Sequence, residues 1–214
     1  MPKLKILALD SSAKTASAAI IDGEQLISEA FVNAGLTHSE TLLPMVDSVL
    51  SLARLTMSDI DGCVITDGPG SFTGIRIGMA TIKAFMIGLG KTKAVQINTL
   101  DLIAFSSKLK EDKVIIVNAG GINYYVASYD KENNLVNNYE CNEEKDLEKY
   151  ISGKKTVTIN ESNFITNEVV NISELNQIEF TKKLINDNKF VDAENLVPFY
   201  ILKSQAERNL EKKN

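Results

Sequence analysis

The sequence predicts a duplicated α/β fold of two lobes, and three observations carry that expectation. A meander of three short strands opens the chain, helices and buried strands alternate after it, and the same order restarts between residues 108 and 113. Leu4–Leu9 is an apolar run of strand formers ending at Asp10-Ser11-Ser12. Ala16–Ile21 is the second strand, Asp22-Gly23 a hairpin turn, and Gln25–Val32 the third strand. A helix follows, then a buried strand at Cys63–Asp67, a second helix, a strand at Ala94–Ile97 and a helix from Thr99 to Leu109.

The second copy reads Val114–Asn118, Tyr124–Tyr129 and Leu135–Tyr139 as strands, with Asn133-Asn134 as the last turn. A helix over Glu143–Tyr150 and a strand at Thr156–Asn160 complete it. The repeat lies in element order and not in residue identity. The predicted lobes are 1–108, which meets partners, and 109–214, whose last helix packs back on the first lobe.

Composition excludes several classes. The 214 residues are 44% hydrophobic and 24% charged, as in an ordinary globular chain. A net charge of −5 weighs against a protein that grips RNA unaided, because phosphate neutralisation dominates such binding. Cys63 and Cys141 form neither a disulfide framework nor a CxxC zinc pair, and read as thiols of a reducing compartment. The N-terminus reaches Asp10 too soon for a secretory signal. The most apolar stretch, Ile75–Leu89, is broken by Arg76 and Lys83 and is too short to span a bilayer. The expected location is the cytoplasm, with no membrane partner.

The first helix opens on Thr37-His38-Ser39-Glu40, a capping-box spacing in which Thr37 caps the Glu40 amide and the Glu40 carboxylate reaches back. Leu42, Val46, Val49, Leu50 and Ala53 form its apolar face. Pro44 favours a second start, at Thr41, that would place it in the first turn, and the two starts stay open. His38 is the only histidine, so a metal site built on it lacks the clustered ligands it would need.

Gly68-Pro69-Gly70-Ser71-Phe72-Thr73-Gly74-Ile75-Arg76-Ile77-Gly78 is the most informative segment. It joins a strand to a helix, which suggests an anion at the helix start, but GxGxxxG is not the dinucleotide pattern. Gly88-Leu89-Gly90-Lys91-Thr92 imitates the end of a phosphate loop, yet it closes a helix and lacks the first glycine. In the second helix Ile75, Met79, Ile82, Met86 and Leu89 form the core stripe. Gly74, Gly78, Thr81, Phe85 and Gly88 form a second stripe of mostly small residues, which invites close approach by a neighbour. That neighbour is either intramolecular or another subunit.

Leu7-Ala8-Leu9-Asp10-Ser11-Ser12, His38-Ser39-Glu40 with Leu42-Leu43-Pro44, Gly68 to Gly78 with Lys83, and Pro198-Phe199-Tyr200-Ile201 with Ser204-Gln205-Ala206-Glu207 together resemble the TsaB (YeaZ) family. The resemblance covers the first hundred residues well and the middle poorly. It implies an actin-like, ribonuclease-H-like fold with two lobes. It further implies a non-catalytic subunit, homodimeric alone and heterodimeric with a TsaD-type catalytic subunit, in tRNA threonylcarbamoyladenosine synthesis. A TsaE-type ATPase would be the third member, and tRNA would be met only through the complex. No cofactor is expected on this chain, and ATP and metal are expected on the partner subunits. The implied partner interface is His38, Glu40, Leu43, Gly70, Ser71, Phe72, Thr73, Gly74, Arg76, Gly78, Thr81 and Phe85. Asp10, Ser11 and Ser12 are the candidate nucleotide contacts, and no residue is assigned a catalytic or metal role. The chain departs from the family pattern at Asn118-Ala119-Gly120-Gly121 and at Leu202-Lys203.

Two other functions have partial support in the residues. An ATP-hydrolysing or sugar-kinase-like enzyme would use Asp10-Ser11-Ser12 for phosphate and magnesium, but the second lobe offers no acid at Asn118 to Gly121. A peptidase would need Ser71 or Cys63 activated by His38 alone.

Overall fold

The computed structural model describes residues 4–33, 37–90, 93–159, 166–170, 177–187 and 189–202. The chain divides into two compact units, Met1–Thr99 with Gln177–Phe199, and Leu100–Asn176 with Tyr200–Asn214. The division falls ahead of the boundary expected at 108, and residues from beyond the second sheet return to the first unit. The expected last helix, with Ser204 to Glu207, lies outside the described residues.

In the first unit, strands β1 (Lys5–Asp10), β2 (Ala16–Asp22) and β3 (Gln25–Val32) form the expected meander. Helix α1 (His38–Ala53), β4 (Gly62–Gly68), α2 (Phe72–Leu89) and β5 (Lys93–Asn98) follow. The sheet order is β11-β5-β4-β1-β2-β3, with β11 (Phe190–Val191) a short antiparallel addition. β1 pairs antiparallel with β2 and parallel with β4, which pairs parallel with β5. Parallel strands need cover on both faces, which is why β1 and β4 read as unbroken apolar runs. Leu7, Leu9, Cys63 and Ile65 meet Leu42, Met45, Val46 and Val49 of α1 and Met79, Ile82 and Met86 of α2 in one core.

Helix α1 settles on the Thr37 start. The capping box forms, with the Glu40 carboxylate accepting the Thr37 N–H at 3.4 Å and the Thr37 hydroxyl at 2.7 Å. Pro44 therefore sits inside the helix, a cost of about 3 kcal/mol. The carbonyl it leaves without a helical donor belongs to exposed Glu40, where water can reach it. Burial of Leu42, Met45, Val46, Val49 and Leu50, at about 1.5–3 kcal/mol each, outweighs the loss. Helix α2 is long and apolar enough, by length and composition, to cross a membrane, where the sequence suggested a stretch too short for that. Its Ile75, Met79, Ile82 and Met86 are buried as in a core helix.

The second unit repeats the topology. It starts at α3 (Thr99–Ser106), shorter than the expected helix to Leu109. β6 (Lys113–Gly120), β7 (Asn123–Tyr129), β8 (Glu140–Glu143), α4 (Glu148–Ile151), β9 (Lys155–Ile159) and β10 (Glu168–Val170) then build a sheet of order β10-β9-β6-β7-β8. Its first three strands are antiparallel neighbours, and β9 and β10 are parallel additions, as in the first unit. The third strand lies later than the expected Leu135–Tyr139, where only a Tyr129–Leu135 bridge forms. Tyr139 instead turns its hydroxyl to the Asp101 carboxylate at 2.8 Å, beside Tyr129 at 2.6 Å. Asn133, with φ of 65°, makes the expected turn and accepts from the Lys113 ammonium at 2.7 Å. The expected helix at Glu143–Tyr150 is a 3-10 turn, Glu144–Asp146, followed by the short α4. Strands β10 and β11 and helix α5 (Gln177–Asn186) lie outside the elements predicted from the sequence.

Cys63, 1% exposed on β4, has its thiol pushed up to about 12 by burial. The neutral thiol is the favoured native form, so its stabilisation is fully present below pH 9.0, the ordinary value, and is lost as pH rises towards 12. Native protein at pH about 8 is expected to leave Cys63 unmodified by a disulfide reagent, and denaturant to expose it. Rapid labelling of Cys63 in the native state, located by peptide mass mapping, would refute this burial.

Candidate functional site

The Asp10–Ser12 turn, the first turn of α1 and the first two turns of α2 converge within the first unit. At the end of β1 the Ser12 N–H donates to Asp10 Oδ1 at 2.8 Å, an Asx turn that reverses the chain towards β2. The Ser12 carbonyl accepts the Ser71 N–H at 2.6 Å. The buried Ser11 hydroxyl donates to the Gly74 carbonyl at 2.9 Å. His38 Nε2 donates to the Ala13 carbonyl at 2.8 Å, which places a ring proton on that nitrogen. One turn is thus held by both helices.

The glycines permit this approach. A Cβ on Gly70 or Gly74 would fall well under 3.0 Å from the carbonyl oxygens of Ser12 and Ser11, both backbone atoms. One on Gly74 would also lie 2.7 Å from His38 Cδ2, and one on Gly78 2.9 Å from Ile65 Cδ1 as well as against Ser11 Oγ. Of the two neighbours open to the glycine stripe, the structure places the intramolecular one there. Gly88, by contrast, has open space where its Cβ would be.

The interface residues suggested by the sequence therefore separate. Gly74 and Gly78 are buried, Gly70 meets the Ser12 carbonyl, Ser71 caps α2 by accepting the Gly74 N–H at 3.1 Å, and Phe85 packs on the core. Thr81 returns its hydroxyl to the Ile77 carbonyl at 2.9 Å. Glu40, Leu43, Thr73 and Arg76 face outward, with the Arg76 guanidinium 3.9 Å from the centre of the half-buried Phe72 ring. The sequence reading missed Ala80, Ala84 and Ile87, which continue Thr73 and Arg76 as an exposed stripe on α2. Ile87 is 72% exposed, and on α1 Leu43 is 51% and Leu52 71% exposed. The missed signal was a second i, i+3/i+4 series beside the glycines.

Two first-turn amides of α2, those of Ser71 and Gly74, are directed at protein acceptors. The Ser11 hydroxyl is likewise engaged, so a phosphate could meet it only after its bond to Gly74 breaks. In the imitation phosphate loop, Gly90 closes α2 with φ of 67°, while Lys91 and Thr92 lie outside the described residues. His38 donates to a backbone carbonyl, and Cys63 is buried in the core. At the β4 end, Phe199 N–H donates to the Asp67 carbonyl at 2.9 Å, and Gly68, with φ of 121°, would place a Cβ 2.7 Å from the Phe199 carbonyl. This gives Pro198-Phe199 a structural place against the glycine turn.

A family model described as TsaD, tRNA N6-adenosine threonylcarbamoyltransferase, matches residues 32–193. The chain is 31% identical over 134 residues to a tRNA threonylcarbamoyladenosine biosynthesis protein TsaB from Buchnera aphidicola subsp. Schizaphis graminum, covering 61% of this chain and 63% of that protein. The match thus spans less than two thirds of that relative's length. A TsaB from Buchnera aphidicola subsp. Acyrthosiphon pisum is 27% identical over 203 residues, 92% of this chain and 89% of that one. The solved structure of YeaZ from Pseudomonas aeruginosa superposes with a TM-score of 0.75 at 18% identity, over 92% of this chain and 99% of that chain. The fold is the expected actin-like, ribonuclease-H-like α/β fold with duplicated units.

The glycine contacts predict opposite responses from two sides of one helix. Gly74→Ala and Gly78→Leu should each destabilise the first unit by about 1–3 kcal/mol, through overpacking against the Ser11 turn. Ala84→Leu, on the outward stripe, should change unfolding by no more than about 0.5 kcal/mol. Denaturant melts of the three variants at dilute concentration check this, and equal effects on both sides would contradict it.

Proposed function

We propose that this chain, which belongs to the TsaD domain family and is similar to the TsaB (YeaZ) proteins, is a partner-binding subunit in biosynthesis of tRNA threonylcarbamoyladenosine. The observation that carries this reading is the outward stripe of α2, Thr73-Arg76-Ala80-Ala84-Ile87, on a helix packed against α1 with its exposed Leu43 and Leu52. Ala80 and Ala84 leave room for a facing helix to approach, and the large apolar side chains give it area to bury. The partner is a TsaD-type catalytic subunit, whose chemistry this chain supports without performing it.

The engaged groups of the first unit support the accessory role. Ser11, Ser71 and His38 are each spent on backbone partners that hold the turn and helices together. Asp10 serves the Asx turn, so the turn's first duty is structural. A TsaE-type ATPase completes the assembly, and tRNA is held by the complex and not by this acidic chain alone.

Depletion of the protein should lower threonylcarbamoyladenosine in digested tRNA, measured by mass spectrometry of nucleosides. Ala84→Arg should abolish capture of the TsaD-type subunit while leaving the dilute-protein melt within about 0.5 kcal/mol of the parent. An unchanged nucleoside level after depletion rejects the pathway assignment, and undiminished capture by Ala84→Arg rejects this face. The purified chain should hydrolyse ATP no faster than a buffer control. Turnover that disappears in Asp10→Ala would replace the accessory reading with an enzymatic one.

A further inference from the structure

We propose that His38 is a positioning residue for partner capture, a role that rests on the α1–α2 face being the docking surface of the chain. It sets the first turn of α1, from which Leu43 projects, and it acts through that turn without touching the partner itself. The half-buried ring faces inward. Its Nε2–H donates to the Ala13 carbonyl at 2.8 Å, and its Cδ2 lies 2.7 Å from the place where a side chain on Gly74 would begin. His38 is thus spent on the chain's own turn and on α2, whereas Leu43 is 51% exposed.

The first turn of α1 needs such a pin because Pro44 separates it from the rest of the helix. Proline has no N–H, so the bond that would tie residue 44 to the Glu40 carbonyl is missing. Ahead of that gap, the capping box and the Thr41 hydroxyl, which donates to the Thr37 carbonyl at 3.2 Å, are internal to the turn. Leu42, 1% exposed, ties the turn to the core. A single apolar anchor is a pivot and leaves rotation free. The His38–Ala13 bond adds a second attachment, to a turn that α2 itself holds through Ser12–Ser71 and Ser11–Gly74. Beyond the gap, Met45, Val46, Val49 and Leu50 are buried, and the Ser28 hydroxyl donates to the Val49 carbonyl at 2.7 Å. That half is fixed without His38. Leu43 is therefore registered against the outward stripe of α2 by the histidine, while the remainder of α1 keeps the fold. A docking residue held in place beforehand spares the complex the cost of ordering it.

The test uses the full chain, with capture of a TsaD-type subunit measured by titration calorimetry and backbone hydrogen exchange of the chain alone measured by mass spectrometry. His38→Ala should weaken capture at least about tenfold and speed exchange of the amides of residues 39–43 by a similar factor, with β1 and β4 exchanging as in the parent. His38→Gln, whose side-chain amide can donate from the place of Nε2–H, should return both to within about threefold of the parent. Added to Leu43→Ala, His38→Ala should cost little more, because it acts through that leucine. Parent-like capture by His38→Ala overturns the positioning role and leaves the docking face standing. Lost capture with parent-like exchange over 39–43, or losses that add fully with Leu43→Ala, would make His38 a direct contact and overturn it. Faster exchange across the whole first unit would make His38 a general support of the core, which also overturns it. A His38→Gln chain as weak as His38→Ala rules out the bond to Ala13 as the cause. A parent that captures no TsaD-type subunit removes the docking surface itself, and the role with it.

Discussion

The first unit depends on one close approach, that of the glycine side of α2 to the Ser11–Ser12 turn. Backbone oxygens of the turn occupy the positions where side chains of Gly70 and Gly74 would begin, and the Ser11 hydroxyl does so at Gly78. Interior glycine costs a helix about 1 kcal/mol relative to alanine, so Gly74 and Gly78 weaken α2 taken alone. The approach returns that energy through the Ser11–Gly74 and Ser12–Ser71 hydrogen bonds and through burial of Ile75, Met79 and Ile82. His38 extends the arrangement to α1 by reaching Ala13.

That constraint also decides what α2 shows to the outside. With the glycines turned in on Ser11 and the large residues turned in on the sheet, the remaining arc is Thr73, Arg76, Ala80, Ala84 and Ile87. An outward residue on this helix follows from the two inward stripes. The result is an exposed arc of small and apolar side chains whose only charge is a cation. The position of His38 follows from the same geometry, since a ring at the first residue of α1 is close enough to bond the turn held by α2.

Legibility of the sequence divides along the chain, for physical reasons. The first meander has alternating or continuous apolar runs with a clear Asp-Gly turn, and β3 lies where its residues placed it, at Gln25–Val32. The start of α1 is ambiguous in the sequence because Pro44 and the capping box conflict locally, and burial of one helix face decides for the Thr37 cap. The glycine stripe was visible, but periodicity reports that a face is close-packed and not by what. In the second unit Tyr139 looked like strand because aromatic residues favour strands, whereas its hydroxyl bonds Asp101 and its ring packs on the core of that unit. Strands of two or three residues, such as β10 and β11, carry no period to detect.

The two units show how much chemistry can be read into the Asp10-Ser11-Ser12 motif. In both, the first strand ends on an Asx turn into the second. Ser12 N–H donates to Asp10 Oδ1 at 2.8 Å, and Gly120 N–H donates to Asn118 Oδ1 at 2.8 Å. One acceptor is a carboxylate and the other an amide, yet the geometry of the bond is the same. The turn therefore needs an oxygen two residues before a donor, and not a charge. An aspartate at this position is explained by the turn before any phosphate or metal is invoked. What differs between the two turns is their neighbourhood. Ser11 is buried under α2, while Gly120 and Gly121 have open space where side chains would stand. The first turn is a packing element that anchors two helices, and the second turn carries no such load.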